Sequence, residues 1–280
     1  MKISRKPDWL KIKLPKTDEF KTINDLIIKN NLHTICSSGK CPNMGECWAA
    51  GTATFMILGD ICTRGCKFCN VTTGKPLPPD PDEPRKLAHA IKTLNLKHAV
   101  ITSVDRDDLP DGGANHWANT ILEIKKLNPA TTIEALIPDF DARKDLLEIV
   151  AQTNPEIISH NMETVERLTP QVRTKAQFNR SLQTLNILNQ LGITTKSGIM
   201  VGLGETLQEV YDTMDALLSV NCRIITIGQY LQPSARNLPV HRYVTPEEFD
   251  EYRRVGLQKG FSVVESGPLV RSSYHAEKHL

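Results

Sequence analysis

Residues 54–69 read TFMILGDICTRGCKFC, and this stretch decides both the architecture and the chemistry. Thr54–Gly59 is a short apolar run of the kind that forms a buried strand. It leads into Cys62, Cys66 and Cys69, spaced C-x3-C-x2-C with Phe68 before the last cysteine. Upstream lie Cys36, Cys41 and Cys47, spaced C-x4-C-x5-C, so six of the seven cysteines fall into two triplets. Thiolate sulfur is the preferred ligand of iron–sulfur clusters, which commonly take four cysteines. Each triplet is one short, and a missing protein ligand leaves a position open to substrate. Two incomplete sets point to two metal centres with different work. The alternative is structural zinc, which uses four cysteines or a Cys/His mixture built from C-x2-C pairs. Only Cys66 and Cys69 form such a pair, and His33 is the only nearby upstream histidine.

Working outward, five more strand candidates follow: His98–Val104, Thr132–Pro138, Ile157–Met162, Thr195–Gly202 and Ile224–Tyr230. All are short and rich in Ile, Val and Thr, as buried parallel strands are. Helical stripes lie between them: Leu87, Ile91 and Leu94; Trp117, Ile121, Ile124 and Leu127; Leu182, Leu185, Leu188 and Leu191, closed by Gly192. Thr206-x-x-Glu209 and Thr245-Pro246-x-Glu248 have the form of capping boxes. The alternation predicts an α/β fold with a parallel sheet. Periodicity does not separate a doubly wound sheet from a barrel, but motif positions favour a barrel. Cys62–Cys69 follows the first strand, Asp105-Arg106-Asp107-Asp108 the second, and Asn161 and Glu163 end the fourth; chemistry at several strand C-termini is a barrel signature. The expected division is an N-terminal extension (1–53) carrying the first triplet, a partial (β/α)6 TIM-like barrel (54–235) and a C-terminal extension (236–280).

The 280 residues carry 34 basic and 32 acidic side chains, so no nucleic-acid-binding field is advertised. Lys2, Arg5, Lys6, Lys11, Lys13 and Lys16 form an N-terminal basic run without interleaved aromatics, which reads as a solvated arm. No apolar run reaches the ~20 residues of a membrane span. Charges with Pro7 and Pro15 replace any signal-peptide core, so a soluble, cytoplasmic protein is expected. In a reducing compartment, clustered cysteines are metal ligands or catalytic thiols rather than disulfides. Cys222 stands alone between apolar stretches and is expected in the core.

C-x3-C-x2-C after a first barrel strand resembles the radical S-adenosylmethionine superfamily. The upstream C-x4-C-x5-C triplet, with Arg271-Ser272-Ser273-Tyr274 near the end, narrows the resemblance to the lipoyl synthase family. His160-Asn161-Met162-Glu163-Thr164, Thr102–Asp108 and Gly202-Leu203-Gly204-Glu205 extend it over nearly the whole chain. The resemblance implies a partial barrel of the radical S-adenosylmethionine type and two [4Fe-4S] clusters. Cys62, Cys66 and Cys69 would bind the cluster whose open iron holds S-adenosylmethionine and generates a 5′-deoxyadenosyl radical. Cys36, Cys41 and Cys47 would bind an auxiliary cluster with Ser273 as fourth ligand. That cluster would give up the sulfur atoms inserted at carbons 6 and 8 of an octanoyl chain. The implied partners are octanoylated lipoyl carrier domains, an electron donor such as flavodoxin or ferredoxin, and a cluster-repair partner, with no nucleic acid and no membrane.

The cofactor side is expected to involve Asn161 and Glu163, two apart at a strand end and suited to a ribose diol; the plainer reading is a local hydrogen-bonded pair. Gly198-x-Met200-x-Gly202-x-x-Glu205 resembles the adenine-side motif, with Met200 where Ile is usual. Asp105 and Arg106 are placed near the methionyl amino group, against a reading as a solvated loop. Arg173 and Lys196 are weighed as partners of the ligand carboxylate, and His160 as a packing residue. Rival functions are another sulfur-transfer enzyme of the superfamily, such as a tRNA methylthiotransferase, or a metal- or redox-sensing protein. The first expects a basic RNA-binding module, and the second leaves the strand-end residues unexplained.

Overall fold

The computed structural model describes residues 6–11, 18–49 and 53–279. Lys2, Arg5, Lys13, Lys16 and Pro15 lie outside the described residues. The N-terminal region supplies α1 (Asp18–Lys29), β1 (His33–Thr34), α2 (Ile35–Ser38) and α3 (Met44–Ala49). The alternation opens with β2 (Thr54–Ile57), the short pair β3 (Ile61–Cys62) and β4 (Thr72–Thr73), α4 (Glu83–Leu94), β5 (His98–Ser103), α5 (Ala114–Leu127) and β6 (Thr132–Leu136). It continues through α6 (Lys144–Ala151), β7 (Ile157–Ser159), α7 (Thr169–Val172), α8 (Phe178–Gln190), β8 (Thr195–Val201) and α9 (Leu207–Ser219). β9 (Ile224–Gln229), α10 (Pro246–Lys259) and β10 (Val263–Gly267) complete it. Among the described residues no helix is long and apolar enough to cross a membrane.

The main sheet runs β1-β2-β5-β6-β7-β8-β9-β10. It is parallel from β2 to β10, with β1 antiparallel on the edge of β2. The six expected strands are present. The alternation also continues into the C-terminal extension, where β10 adds a seventh parallel strand beside β9. β10 reads VVESG and buries alternate residues, so it lacks the apolar run that marks the others.

Register separates two faces. Phe55, Ile57, Ala99, Ile101, Ile133, Ala135, Ile158, Ile199, Val201, Ile225 and Ile227 alternate onto one side, and all are buried. The helices close over this side. α4 contributes Leu87 and Ile91, α5 contributes Trp117, Ile121 and Ile124, and α9 contributes Val210, Met214 and Leu217. Each such side chain contributes roughly 1.5–3 kcal/mol by leaving water. The opposite side carries Thr54, Thr102, Glu134, Ser159, Lys196, Gly198, Thr226 and Gly228. A polar inner face needs partners; Lys196 and Ser159 satisfy Glu134 within the sheet, and the C-terminal tail brings Ser273 to Thr54.

The caps are as the sequence predicts. Thr206 and Glu209 form a full capping box at α9, as do Thr245 and Glu248 at α10. Gly192, past α8, has φ +82°, the left-handed region that glycine enters at no steric cost.

Candidate functional site

The second triplet runs from Cys62, the last residue of β3, through the loop to β4, beyond the C-terminal end of β2. Gly74 donates to the Cys62 carbonyl at 3.0 Å, and the Cys69 amide turns back to the Cys66 carbonyl at 3.1 Å. Neighbouring strand-end loops clamp it: Thr63 N–H donates to Asp105 O at 3.0 Å and Lys67 N–H to Val172 O at 2.9 Å. Asn237 Nδ2 donates to the carbonyls of Lys67 and Cys69, at 3.2 and 2.8 Å. Backbone amides also reach the sulfurs. Asp105 N–H and Arg64 N–H donate to Cys62 Sγ at 3.3 and 3.4 Å, and Val71 N–H to Cys69 Sγ at 3.4 Å.

Arg64, between the first two cysteines of the loop, is a residue that sequence reasoning missed. Its side chain is 5% exposed, and its guanidinium meets Asp107 at 2.8 Å, Asp139 at 2.9 Å and Asp105 at 3.3 Å. These carboxylates follow β5 and β6, so one cation ties the cysteine loop to two strand ends. Burial opposes ionisation of Asp107, but Arg64 and Lys175 hold its carboxyl far below the usual range. Asp105 goes the other way: burial raises it, with Arg64 only partly offsetting. The signal for Arg64 was its place inside the cysteine loop; its partners lie 41–75 residues away.

Beside this loop opens a cavity whose wall includes Cys66, Asp105, Asn161, Glu163 and Arg173. Asn161 Nδ2 donates to Glu163 Oε1 at 3.1 Å. Glu163 has φ +66°, unusual for a non-glycine residue, and two backbone bonds to β8 pin it: its N–H to Gly198 O at 3.0 Å, and Met200 N–H to its own carbonyl at 2.9 Å. A conformation held against its preference at a cavity wall is a mark of functional sites. Burial raises the Glu163 carboxyl, against the pull of Arg173. Gly198 leaves room for Asn161, since a Cβ there would sit 2.5 Å from Thr226 Oγ1 and 3.0 Å from Asn161 Oδ1.

Other expected residues lie elsewhere. Arg106 bonds bidentately to Asp108 at 2.9 Å and to the Leu58 carbonyl, beside a neighbouring hollow rather than the Asn161–Glu163 cavity. Gly202, at φ +93°, answers to packing, because a Cβ would meet Gln229 Nε2 at 2.2 Å and the Arg242 carbonyl at 2.6 Å. Glu205 receives the amides of Gly202 and Leu203 and fixes that turn. Lys196 does not reach the cavity. It is 1% exposed on the inner face and bonds both oxygens of Glu134 at 2.8 Å. His160, by contrast, does line the cavity, where it bridges the Ile137 carbonyl and Ser181, and burial pushes its pKa down to about 4.

The first triplet forms beside the start of β2. Thr34 caps α2 by accepting from Ser37 N–H, the Cys41 amide donates to Cys36 O at 2.9 Å, and the Cys47 amide to Asn43 O at 2.9 Å. Asn70, next to Cys69, donates to Ser38 O at 2.9 Å, which ties the two cysteine loops together. The C-terminal tail completes this corner. Asn43 Nδ2 donates to Leu269 O at 2.6 Å, and Thr54 Oγ1 to Ser273 Oγ at 2.8 Å. Thr54 also reaches the Cys36 thiol, partly offsetting the rise that burial gives it. Cys41 is raised by burial and lowered by the Asn43 amide and the Arg271 charge. Tyr274, raised first by burial, hydrogen-bonds Glu46 and feels Cys47. Three residues of Arg271-Ser272-Ser273-Tyr274 thus engage the first triplet or its neighbours.

The donor chemistry fits iron–sulfur clusters. Burial raises Cys62 to about 12 and Cys69 to about 11, so thiolates at these positions need a cation to sustain them. Among the described residues, no group of three or more His, Cys, Asp or Glu converges tightly enough for one metal ion. A cluster in which each iron takes its own cysteine does not require that convergence. Cys222 is wholly buried in the apolar core, its thiol directed at the carbonyls of Thr195 and Ile224, so it completes neither triplet.

Residues 56–217 match the family model of the radical SAM superfamily. A lipoyl synthase of Bacteroides fragilis is 62% identical over 276 residues, covering 99% of this chain and 96% of the relative. One of Treponema denticola is 57% identical, with 99% and 95% covered. Among solved structures, SuiB of Streptococcus suis bound to S-adenosylmethionine aligns with TM-score 0.60 at 11% identity, over 81% of this chain and 55% of that one. Methylornithine synthase aligns with TM-score 0.53 at 13% identity, over 87% and 82%. The two structural likenesses speak for the fold alone.

Proposed function

The chain belongs to the lipoyl synthase family of the radical S-adenosylmethionine superfamily, and on that premise we propose that it inserts two sulfur atoms at carbons 6 and 8 of an octanoyl chain borne by a lipoyl carrier domain. The observation that carries this reading is the meeting of two cysteine triplets and the C-terminal tail around one inner face. Cys62, Cys66 and Cys69 would hold one [4Fe-4S] cluster with a position open to S-adenosylmethionine. Cys36, Cys41, Cys47 and Ser273 would hold the auxiliary cluster. When bound, these groups supply the 5′-deoxyadenosyl radical and the inserted sulfur.

The chain's own residues bind, orient and shield. Glu163 presents a carboxylate and Asn161 its amide oxygen to a ribose diol. Asp105, beside Cys62, faces the same cavity and suits the methionyl amino group, while Arg173 is the nearby cation for a carboxylate. Arg64 keeps the cysteine loop in register with these groups, because a misplaced reacting centre loses the benefit of orientation. Ser273 offers oxygen, a harder donor than thiolate and so a weaker hold on iron, which suits a cluster that is dismantled in turnover. In this reading segment 1–53 brings the first triplet, 54–235 the radical site and 236–280 the tail that closes both. The same reading takes flavodoxin or ferredoxin as electron donor, a partner that rebuilds the auxiliary cluster, and the cytoplasm as setting.

The test is an anaerobic assay with octanoylated carrier peptide, S-adenosylmethionine and reductant, read by mass. The expected result is dithiolated peptide with 5′-deoxyadenosine. 5′-Deoxyadenosine without any thiolated peptide under full cluster loading would overturn the reading.

A further inference from the structure

The tail touches both sites through adjacent serines. Residues Arg271–Tyr274 form a turn closed by Tyr274 N–H on Arg271 O at 2.9 Å. Ser273 takes the Thr54 hydroxyl at 2.8 Å on the first-triplet side. Ser272 points to the other side and accepts from Asn161 Nδ2 at 2.7 Å. Asn161 therefore uses both amide hydrogens, one on Ser272 and one on Glu163, and its Oδ1 is turned toward Gly198. An amide with both donors engaged has one orientation. Glu163 and Gly198 belong to the barrel, whereas Ser272 belongs to the tail. The tail's approach is also specified in the sequence at Gly228, where a Cβ would lie 2.1 Å from the Val270 carbonyl.

We propose that Ser272 is a positioning residue for the S-adenosylmethionine site, and that through it S-adenosylmethionine binding depends on the anchoring of Ser273 beside the first triplet. The inference rests on the assignment of Asn161 and Glu163 to that site. A single turn carries both serines, so although Leu269, Val270 and Tyr274 still hold the tail, losing the Ser273 anchor loosens Ser272 and its hold on the Asn161 amide. Linkage is reciprocal: a ligand that needs Asn161 ordered also tightens the tail against the first triplet. The tail thus reports the state of the sulfur-donating side to the radical-generating side.

The experiment is calorimetric titration of S-adenosylmethionine into anaerobically reconstituted protein, with iron content and circular dichroism recorded for every variant. Ser272→Ala is expected to weaken binding about fivefold, the effect of one hydrogen bond, and Ser272→Thr to keep wild-type affinity. Ser273→Ala is expected to weaken binding several-fold, and the Ser272→Ala/Ser273→Ala double variant to be no weaker than Ser272→Ala. Asn161→Ala serves as reference. If Asn161→Ala weakens binding but Ser272→Ala does not, this inference falls and the site assignment stands. If the two serine effects add, the coupling through Ser272 is refuted. If Asn161→Ala binds as wild type, both the assignment and the inference fall.

Discussion

Replacing Arg64 by Met removes the cation that joins the second cysteine loop to β5 and β6. Arg64 is 5% exposed and touches three carboxylates. After its loss Asp107 keeps Lys175 at 2.9 Å, but among the described residues Asp139, itself 0% exposed, keeps no cation nearer than Arg180 at 4.0 Å, beside the Asp141 amide. Asp105 keeps no cation within salt-bridge distance among the described residues. Breaking a buried pair from one side costs about 3–5 kcal/mol, because it leaves an uncompensated charge. For a chain of this size that lowers the apparent Tm by roughly 5–9 °C. The loop would also lose its fixed place over the cavity, so S-adenosylmethionine cleavage should fall together with stability. Arg64→Lys should lie between, since a single ammonium does not reproduce a forked guanidinium spanning three acids. The assays are anaerobic thermal melts and quantified 5′-deoxyadenosine at matched iron content. An Arg64→Met protein melting within ~2 °C of wild type, with unchanged cleavage, would refute the reasoning.

Lys196→Met should destabilise by about 3–5 kcal/mol in denaturant melts by stranding Glu134, and adding Glu134→Leu should restore most of the loss. Gly198→Ala should weaken S-adenosylmethionine binding in titration, because its Cβ displaces Asn161 and Thr226; adding Thr226→Ala should recover part of it. Glu209 is held down to about 2, by Arg167 first and then the Thr206 amide, so its contribution is present above the ordinary carboxylate pKa and lost as pH falls toward 2. Glu209→Gln should therefore cost about 0.2–1 kcal/mol at pH 7, the worth of an exposed ion pair, and in urea melts the gap between the two proteins should narrow as pH falls below about 4.3 and close near pH 2.

The strands were legible because their outward residues form apolar runs against helices, and each run survives as a strand to within a few residues. The polar inner face was less legible. Lys196 and Glu134 sit inside those same runs and show their role only once register places both on the same inner face, on β8 and β6 with β7 between them. β10 escaped because an alternating edge strand carries little apolar signal. The cysteine triplets and the Asn161–Glu163 pair were visible as local spacing. Arg64, Asp139 and Thr54 were not, since each acts through partners distant in sequence. Ser273 meets Thr54 across 219 residues of sequence, and no local pattern announces that contact.

Iron analysis and S-adenosylmethionine cleavage in two triple variants test the central claim that the triplets hold separate centres with separate work. Cys36→Ala/Cys41→Ala/Cys47→Ala and Cys62→Ala/Cys66→Ala/Cys69→Ala should each retain about four irons of about eight after anaerobic reconstitution. Only the first should release 5′-deoxyadenosine, and neither should yield dithiolated peptide. Loss of all iron from either variant, full iron in either, or cleavage by the second would contradict the account.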